Sequence, residues 1–332
     1  MQYKTLGKSD MRVSVIALGC WQFAGGQMWG EQEDKASIET VHAAIDSGIN
    51  LLDTAEGYGD GKSEEVVGKA LAGKRDKVFI ATKASGPTFA PDELRNACEK
   101  SLERLDTDYI DLYQLHWPRP DTMVPAAEIL ETVRRLQEEG KIRQFGVCNF
   151  GPGDMEGFLP NNEIVSNQMN YSLLWRGIEY GVVPLCEKEG IGILTYSTLV
   201  HGLLSGRYDS LDAFPAGRAR SRHFSGEREH VRHGEPGHEE LTSRTLSRIS
   251  ELCGEYGVSM VDAAYGWALH QPGVTSVLAG SRTVAQIEQN AAVADIEFPD
   301  SFLGALTEAT DELKEIFGNA LDMWQSPGRI RL

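Results

Sequence analysis

Cysteine is scarce in this 332-residue chain, and basic residues are outnumbered by acidic ones. The five cysteines, Cys20, Cys98, Cys148, Cys186 and Cys253, include no CxxC pair, which argues against a disulfide framework or a cysteine-based zinc module and makes reduced thiols the expectation. Lysine and arginine total 32 against 49 aspartates and glutamates, a formal net charge of −17. Such a balance repels phosphate backbones over long range, so no nucleic-acid partner is expected, although a local basic pocket for a phosphorylated cofactor stays open. No apolar run approaches the roughly 20 residues needed to span a bilayer, so membrane insertion is not expected. The opening segment MQYKTLGKSDMRVSVIALG lacks the basic start, uninterrupted apolar stretch and small-residue cleavage site of a secretory signal, and a cytoplasmic setting is expected.

Several motifs are also missing. GYGDGKS looks like a phosphate loop, but Gly57 to Gly61 leaves three intervening residues where a Walker loop needs four, and Gly57, Gly59 and Gly61 miss the G-x-G-x-x-G pattern. His223, His230, His233 and His238 cluster without regular spacing or matched neighbouring ligands, so no metal site is expected.

The chain does contain a repeating unit. Apolar β-rich runs at 16–19, 49–53, 77–83, 109–116, 142–148, 163–170, 190–197 and 275–280 alternate with stretches of helical spacing at about 34–47, 63–72, 91–105, 125–140, 152–159, 178–189, 243–256 and 283–293. Runs such as VFIAT and IGILTY are continuously apolar, as strands buried on both faces should be. Eight such units predict a single α/β domain over 1–332, a closed (β/α)8 TIM-type barrel, with an N-terminal hairpin and an extra C-terminal helix near 303–317. The irregular stretch from Tyr208 to Glu240 is long enough to read as a lid or a cofactor-retaining loop.

Chemistry-bearing residues fall where strands give way to loops. Asp53 and Tyr58 lie in GINLLDTAEGYGDG, Lys83 closes KVFIATK, and His116 closes YIDLYQLHW. Three successive strands thus deliver a carboxylate, a phenol, an ammonium and an imidazole, a set suited to proton transfer. Trp21, Trp29 and Trp117 lie in or beside loops at the same end, where aromatic walls would shape a substrate pocket.

Seven segments in order, GINLLDTAEGYGDGKSEEVVGKAL, IATK, LERLDTDYIDLYQLHW, GKIRQFGVCNF, SNQMNYSLL, LTYSTLVHGLLSGRY and AGSRTVAQIEQN, give the chain a strong resemblance to the aldo-keto reductase family over nearly its whole length. The resemblance implies a catalytic tetrad of Asp53, Tyr58, Lys83 and His116 and an NAD(P)H-dependent enzyme acting on a small-molecule carbonyl or alcohol substrate. In that setting Tyr58 protonates the developing alkoxide. Lys83 makes the phenol more acidic, Asp53 holds Lys83, and His116 orients the carbonyl. The resemblance further implies that Asn149 and Gln168 hold the nicotinamide carboxamide and that Tyr196 stacks on its ring. Cys148 stands where the family commonly has serine, so a weak thiol donor replaces a hydroxyl. Ser197, Leu199, Gly202 and Arg207 match the segment along the pyrophosphate. Gly280, Ser281, Arg282, Gln286, Gln289 and Asn290 match the adenosine segment. Arg282 can pair with a 2′-phosphate, which favours NADPH/NADP+ over NADH. Two other classes compete with this reading: a cofactor-binding regulatory subunit of a membrane channel with little turnover, and a barrel hydrolase using strand-end Asp and His around a metal.

Overall fold

A short antiparallel hairpin, β1 (Tyr3–Thr5) and β2 (Arg12–Ser14), precedes eight parallel strands in the computed structural model, which describes residues 1–326 and 328–332 and leaves out the side chain of Gln27. The strands are β3 (Ile16–Gly19), β4 (Leu51–Asp53), β5 (Phe79–Ala84), β6 (Ile110–Leu115), β7 (Ile142–Cys148), β8 (Ile164–Asn170), β9 (Gly192–Tyr196) and β10 (Val274–Gly280). They close in chain order, β10 pairing with β3, into the expected barrel. Helices cover the outside, including Asp34–Asp46, Lys62–Ala70, Pro91–Leu105 and Ala126–Glu138. Among the described residues, no helix is long and apolar enough to cross a membrane.

Strand side chains alternate between two faces, and this period places the site. Leu51, Ala81, Leu112, Leu194 and Leu278 form an apolar layer inside the barrel, while their neighbours Leu52, Ile80, Tyr113, Ile193 and Val277 pack outward under the helices. Two residues further along the inward face stand Asp53, Lys83, Gln114, Tyr196 and Gly280. The barrel therefore has an apolar interior and a polar rim at the carboxyl ends of its strands. The hairpin plugs the opposite end, where Leu6, Met11 and Val13 join the inner layer. Contact there is so close that a Cβ on Gly7, whose φ is +52°, would lie 2.2 Å from the Val165 carbonyl oxygen.

Some helical boundaries differ from the sequence expectation. The stretch 178–189 divides at Gly181 into a 3-10 turn, Gly177–Tyr180, and a helix, Val182–Glu189. The stretch 152–159 yields only Pro152–Met155 before a second 3-10 turn at Leu159–Asn161. Helix 243–256 starts earlier, as Glu239–Tyr256, and an unforeseen helix, Met260–Leu269, follows it. The extra C-terminal helix is two helices, Asp300–Ala309 and Asp311–Phe317. At their junction the Arg176 guanidinium Nη1 donates to the Thr307 carbonyl (2.9 Å) and to Thr310 Oγ1 (3.1 Å). The Thr307 carbonyl, which also accepts from the Thr310 amide (3.1 Å), is thereby tied to the Arg176 side chain where the helix breaks.

Residues 208–240 pack over the carboxyl end of the barrel. Phe214, Ala219 and Phe224 are buried, and the Arg222 amide donates to the Met323 carbonyl (2.9 Å), joining this segment to the chain's last residues. His223 lies inside it, its ring edge-on to Trp175 and Phe317 and its two nitrogens engaged with Ser221 Oγ (3.0 Å) and the Leu174 carbonyl (2.8 Å). Burial lowers the His223 pKa to about 4 and that of His201 to about 3. An unfolded chain takes up these protons near pH 6.5. The stability gained by keeping these two rings neutral is therefore full above pH 6.5 and is lost as pH falls from there through about 4 and then about 3. Fully buried His223 should contribute about 1.4 kcal/mol per pH unit within its window, and His201, open to a cavity, less. Thermal melts at pH 7 and pH 5 should differ by several degrees, and equal melts would refute this assignment.

Candidate active site

Asp53, Lys83 and Tyr58 form a connected group at the polar rim. Register places Gly19 beside Asp53, Asp53 beside Ala81, and Lys83 beside Gln114, so Lys83 stands on the adjacent strand two residues beyond the partner of Asp53, on the same inward face. Lys83 Nζ donates to Asp53 Oδ1 (2.6 Å), to the Thr54 carbonyl (2.8 Å) and to Tyr58 Oη (3.3 Å). Gln168 Nε2 and Gln114 Nε2 donate to Asp53 Oδ2 at 2.7 and 3.5 Å. Both oxygens of this buried carboxylate are thereby satisfied, the condition under which a buried ion pair is tolerated. Burial alone would lower Lys83, but Asp53, Tyr58 and Cys148 outweigh it and hold the ammonium above its ordinary value.

The phenol behaves otherwise than the sequence suggests. Burial pushes Tyr58 up to about 12, with Lys83 opposing the rise and Asp53 supporting it. An ammonium already paired with a carboxylate offsets only part of the cost of burying a phenolate. In the free protein Tyr58 is therefore a weaker acid than an exposed tyrosine.

His116 faces Tyr58 edge-on at 5.7 Å, and its Nδ1 shares a hydrogen bond with Ser85 Oγ (3.0 Å). Burial, followed by the charges of Lys83, Arg119 and Arg329, holds the imidazole well below its ordinary value, so it is neutral at pH 7. Its carbonyl accepts from Asn149 Nδ2 (3.0 Å), and Asn149 Oδ1 in turn accepts from Tyr196 Oη (2.6 Å). Asn149 occupies the left-handed region, φ +65°, which asparagine tolerates better than most residues. Cys148 is buried, its Sγ accepting from Asn149 Nδ2 (3.2 Å) and lying 3.7 Å from Gln168 Oε1.

Two adjoining cavities open on this group. The first, about 190 Å³, is lined by Trp21, Tyr58, His116, Trp117, Cys148, Asn149, Gln168 and Tyr196. The second, about 290 Å³, shares Trp21, Tyr58, Gln168 and Tyr196 and extends past Ser197, Leu199, Gly202 and Arg207 to Gly280, Arg282, Gln286, Gln289 and Asn290. Positive φ at the non-glycine residues Ser197 and His201 marks its wall as strained backbone, of a kind that clusters at ligand sites.

Two expected lining residues fall elsewhere. Trp29 lines the second cavity and not the first, and it meets Trp21, which lines both, edge-on (5.4 Å). Ser281 lines neither cavity: it is buried, and its hydroxyl accepts from Asn290 Nδ2 (3.0 Å). Residues the sequence reading passed over also surround the site. Gln114 and Ser85 were legible as the polar ends of β6 and β5, whereas His201, Arg220, Arg232, Trp324 and Arg329 reach the first cavity only through the packing of distant segments.

The second cavity suits a dinucleotide. Gln22 Oε1, Trp29 Nε1 and His201 Nε2 are buried in its wall without a hydrogen-bond partner among the described residues, and three arginines, Arg207, Arg218 and Arg282, lie along it. Buried polar atoms ordinarily find partners, and guanidinium groups suit phosphates.

Comparison with known proteins agrees with this geometry. Residues 15–311 match the aldo/keto reductase family. Aldo-keto reductase YhdN of Bacillus subtilis is 37% identical over 303 residues, 87% of each chain. The NADH-specific methylglyoxal reductase of Escherichia coli is 32% identical over 330 residues, covering 93% of this chain and 98% of that one. An aldo-keto reductase from Klebsiella pneumoniae, solved in complex with NADPH, superposes with a TM-score of 0.73 at 30% identity, covering 93% of this chain and 96% of the other. The chain belongs to the aldo/keto reductase family, and its activity is the interconversion of carbonyl compounds and alcohols.

Proposed function

We propose that the chain reduces small aldehydes or ketones with NADPH, with Tyr58 as proton donor. The observation that carries this reading is the position of Lys83 Nζ, 2.6 Å from Asp53 Oδ1 and 3.3 Å from Tyr58 Oη, beside the wall shared by two cavities. A bound reduced nicotinamide supplies the hydride. The protein's own contribution is to hold and move a proton. An alkoxide forming beside Tyr58 Oη is more basic than a phenolate even at a pKa of about 12, so transfer from the phenol runs downhill. Lys83 then stabilises the phenolate left behind. In the neutral tautomer in which His116 Nδ1 accepts from Ser85 Oγ, the ring proton is on Nε2 and can hydrogen-bond the carbonyl oxygen. Gln168 and Tyr196 line both cavities, and Asn149, which accepts from Tyr196 Oη, lines the first, in reach of a nicotinamide.

The related proteins divide on nucleotide, one being NADH-specific and another solved with NADPH. Arg282 favours NADPH here. It precedes the helix Val284–Ala292, and its side chain rests on neutral partners, Gln32 Oε1 (2.8 Å) and the Glu31 carbonyl (2.5 Å), which a 2′-phosphate can replace. Following absorbance of NADPH and NADH against a panel of aldehydes, keto sugars and polyols tests the reading. Wild-type protein should prefer NADPH, and Arg282→Ala should raise KM for NADPH by on the order of 10–100-fold with little change for NADH. A wild-type preference for NADH would remove the role given to Arg282, and the absence of nicotinamide-linked turnover across the panel would remove the function.

A further inference from the structure

The first cavity is basic, in a chain whose formal net charge is −17. Arg220 and Arg232, from the segment over the barrel mouth, and Arg329, near the end of the chain, line it, and among the described residues no aspartate or glutamate does. Its two histidines, His116 and His201, are held neutral by burial, so the arginines alone set its charge. Arg329 is fixed in place: its Nε pairs with Asp322 Oδ2 (2.8 Å), and its guanidinium lies 3.7 Å from the centre of the Trp117 ring.

The other two arginines lack such an acidic partner among the described residues. Within the same segment Arg222 pairs with Glu235 (2.7 Å) and Arg228 with Glu239 (2.8 Å). Among the described residues, the Arg220 guanidinium hydrogen-bonds the Met28 thioether, through Nη1 at 3.6 Å, and has no acidic partner, and Arg232 has no side-chain partner. With 49 carboxylates in the chain against 32 basic side chains, two unpaired guanidinium groups beside one small cavity call for an anion from outside. Guanidinium binds carboxylate and phosphate oxygens through paired, charge-assisted hydrogen bonds.

We infer that the natural substrate is a compact carbonyl compound carrying an anionic group, which Arg220 and Arg232 bind while the carbonyl lies at Tyr58 and His116. The cavity of about 190 Å³ limits the substrate to a few carbons between the two ends. This inference rests on the proposed reductase chemistry for its site, and the net charge, which opposes it at long range, is overridden locally.

Matched pairs test it: 4-oxobutanoate against butanal, and glyceraldehyde 3-phosphate against glyceraldehyde, each with NADPH. At least one anionic member should exceed its neutral partner in kcat/KM by about tenfold or more. Preference in the first pair identifies a carboxylate and in the second a phosphate. Arg220→Gln with Arg232→Gln should bring that ratio close to one, Arg220→Lys should retain part of it, and added salt should reduce it. Calorimetry with NADPH-loaded Tyr58→Phe protein should give tighter binding of the preferred anion than of its neutral partner, whether or not the wild type turns over. Reduction of butanal and glyceraldehyde with no anionic preference, or a preference that survives the double substitution, overturns the inference and leaves the reductase function standing. Selective anion binding without any turnover has the opposite effect.

Discussion

Replacing Tyr58 by Phe is expected to lower kcat for carbonyl reduction by about 10²–10⁴-fold while leaving the Kd for NADPH within a few-fold of wild type. The substitution removes one oxygen and little else. Lys83 keeps its bonds to Asp53 Oδ1 and the Thr54 carbonyl, and the ring keeps its stack on Trp21, whose centroid lies 5.6 Å away. Fold and dinucleotide cavity should therefore persist, and only the proton delivered to the alkoxide is lost. Steady-state kinetics together with quenching of tryptophan fluorescence by NADPH separates these effects. Turnover within tenfold of wild type would show that the proton comes from another group, with His116 the next candidate.

Lys83→Met should unfold the protein more easily as well as silence it. Lys83 and Asp53 are almost completely buried, and removing one member of such a pair strands the other, at a cost of about 3–5 kcal/mol. The companion protein Lys83→Met/Asp53→Asn carries no stranded charge and should regain much of that stability, because an amide can still meet Gln114 and Gln168. It should regain no activity, since the phenolate left by Tyr58 has no ammonium to stabilise it. Denaturant unfolding of the two single variants and the double variant gives the coupling directly. Stabilities that simply add would mean that the pair is not coupled as its 2.6 Å separation requires.

The barrel was legible because its strands are buried on both faces and read as short apolar runs, and the strand ends were legible because Asp53, Lys83 and His116 interrupt those runs. The helix Met260–Leu269 was not. Its sequence, MVDAAYGWAL, is apolar on nearly every side, so it has no amphipathic period by which to be recognised. It is buried so closely that a Cβ on Gly266 would lie 2.3 Å from the Phe298 ring. The acidity of Tyr58 is not legible for a related reason: a neighbouring ammonium can be read from sequence order, but the burial that outweighs it cannot. The convergence of Arg220, Arg232 and Arg329 depends on contacts across the chain, such as that between Arg222 and Met323, and no local pattern encodes it.

The closure of the barrel has a consequence for how the chain is made. The first barrel strand, β3, finds one of its two neighbours only when β10 arrives more than 250 residues later, and the amino terminus is anchored later still, by its ion pair with Asp295 (3.0 Å). A nascent chain that has not yet reached Val274 leaves β3 and β9 as open edges, each an invitation to pair with a neighbouring nascent chain. Ribosome-bound or truncated chains ending before residue 274 are the species a cell must shield from aggregation, whereas the finished barrel has no edge to protect.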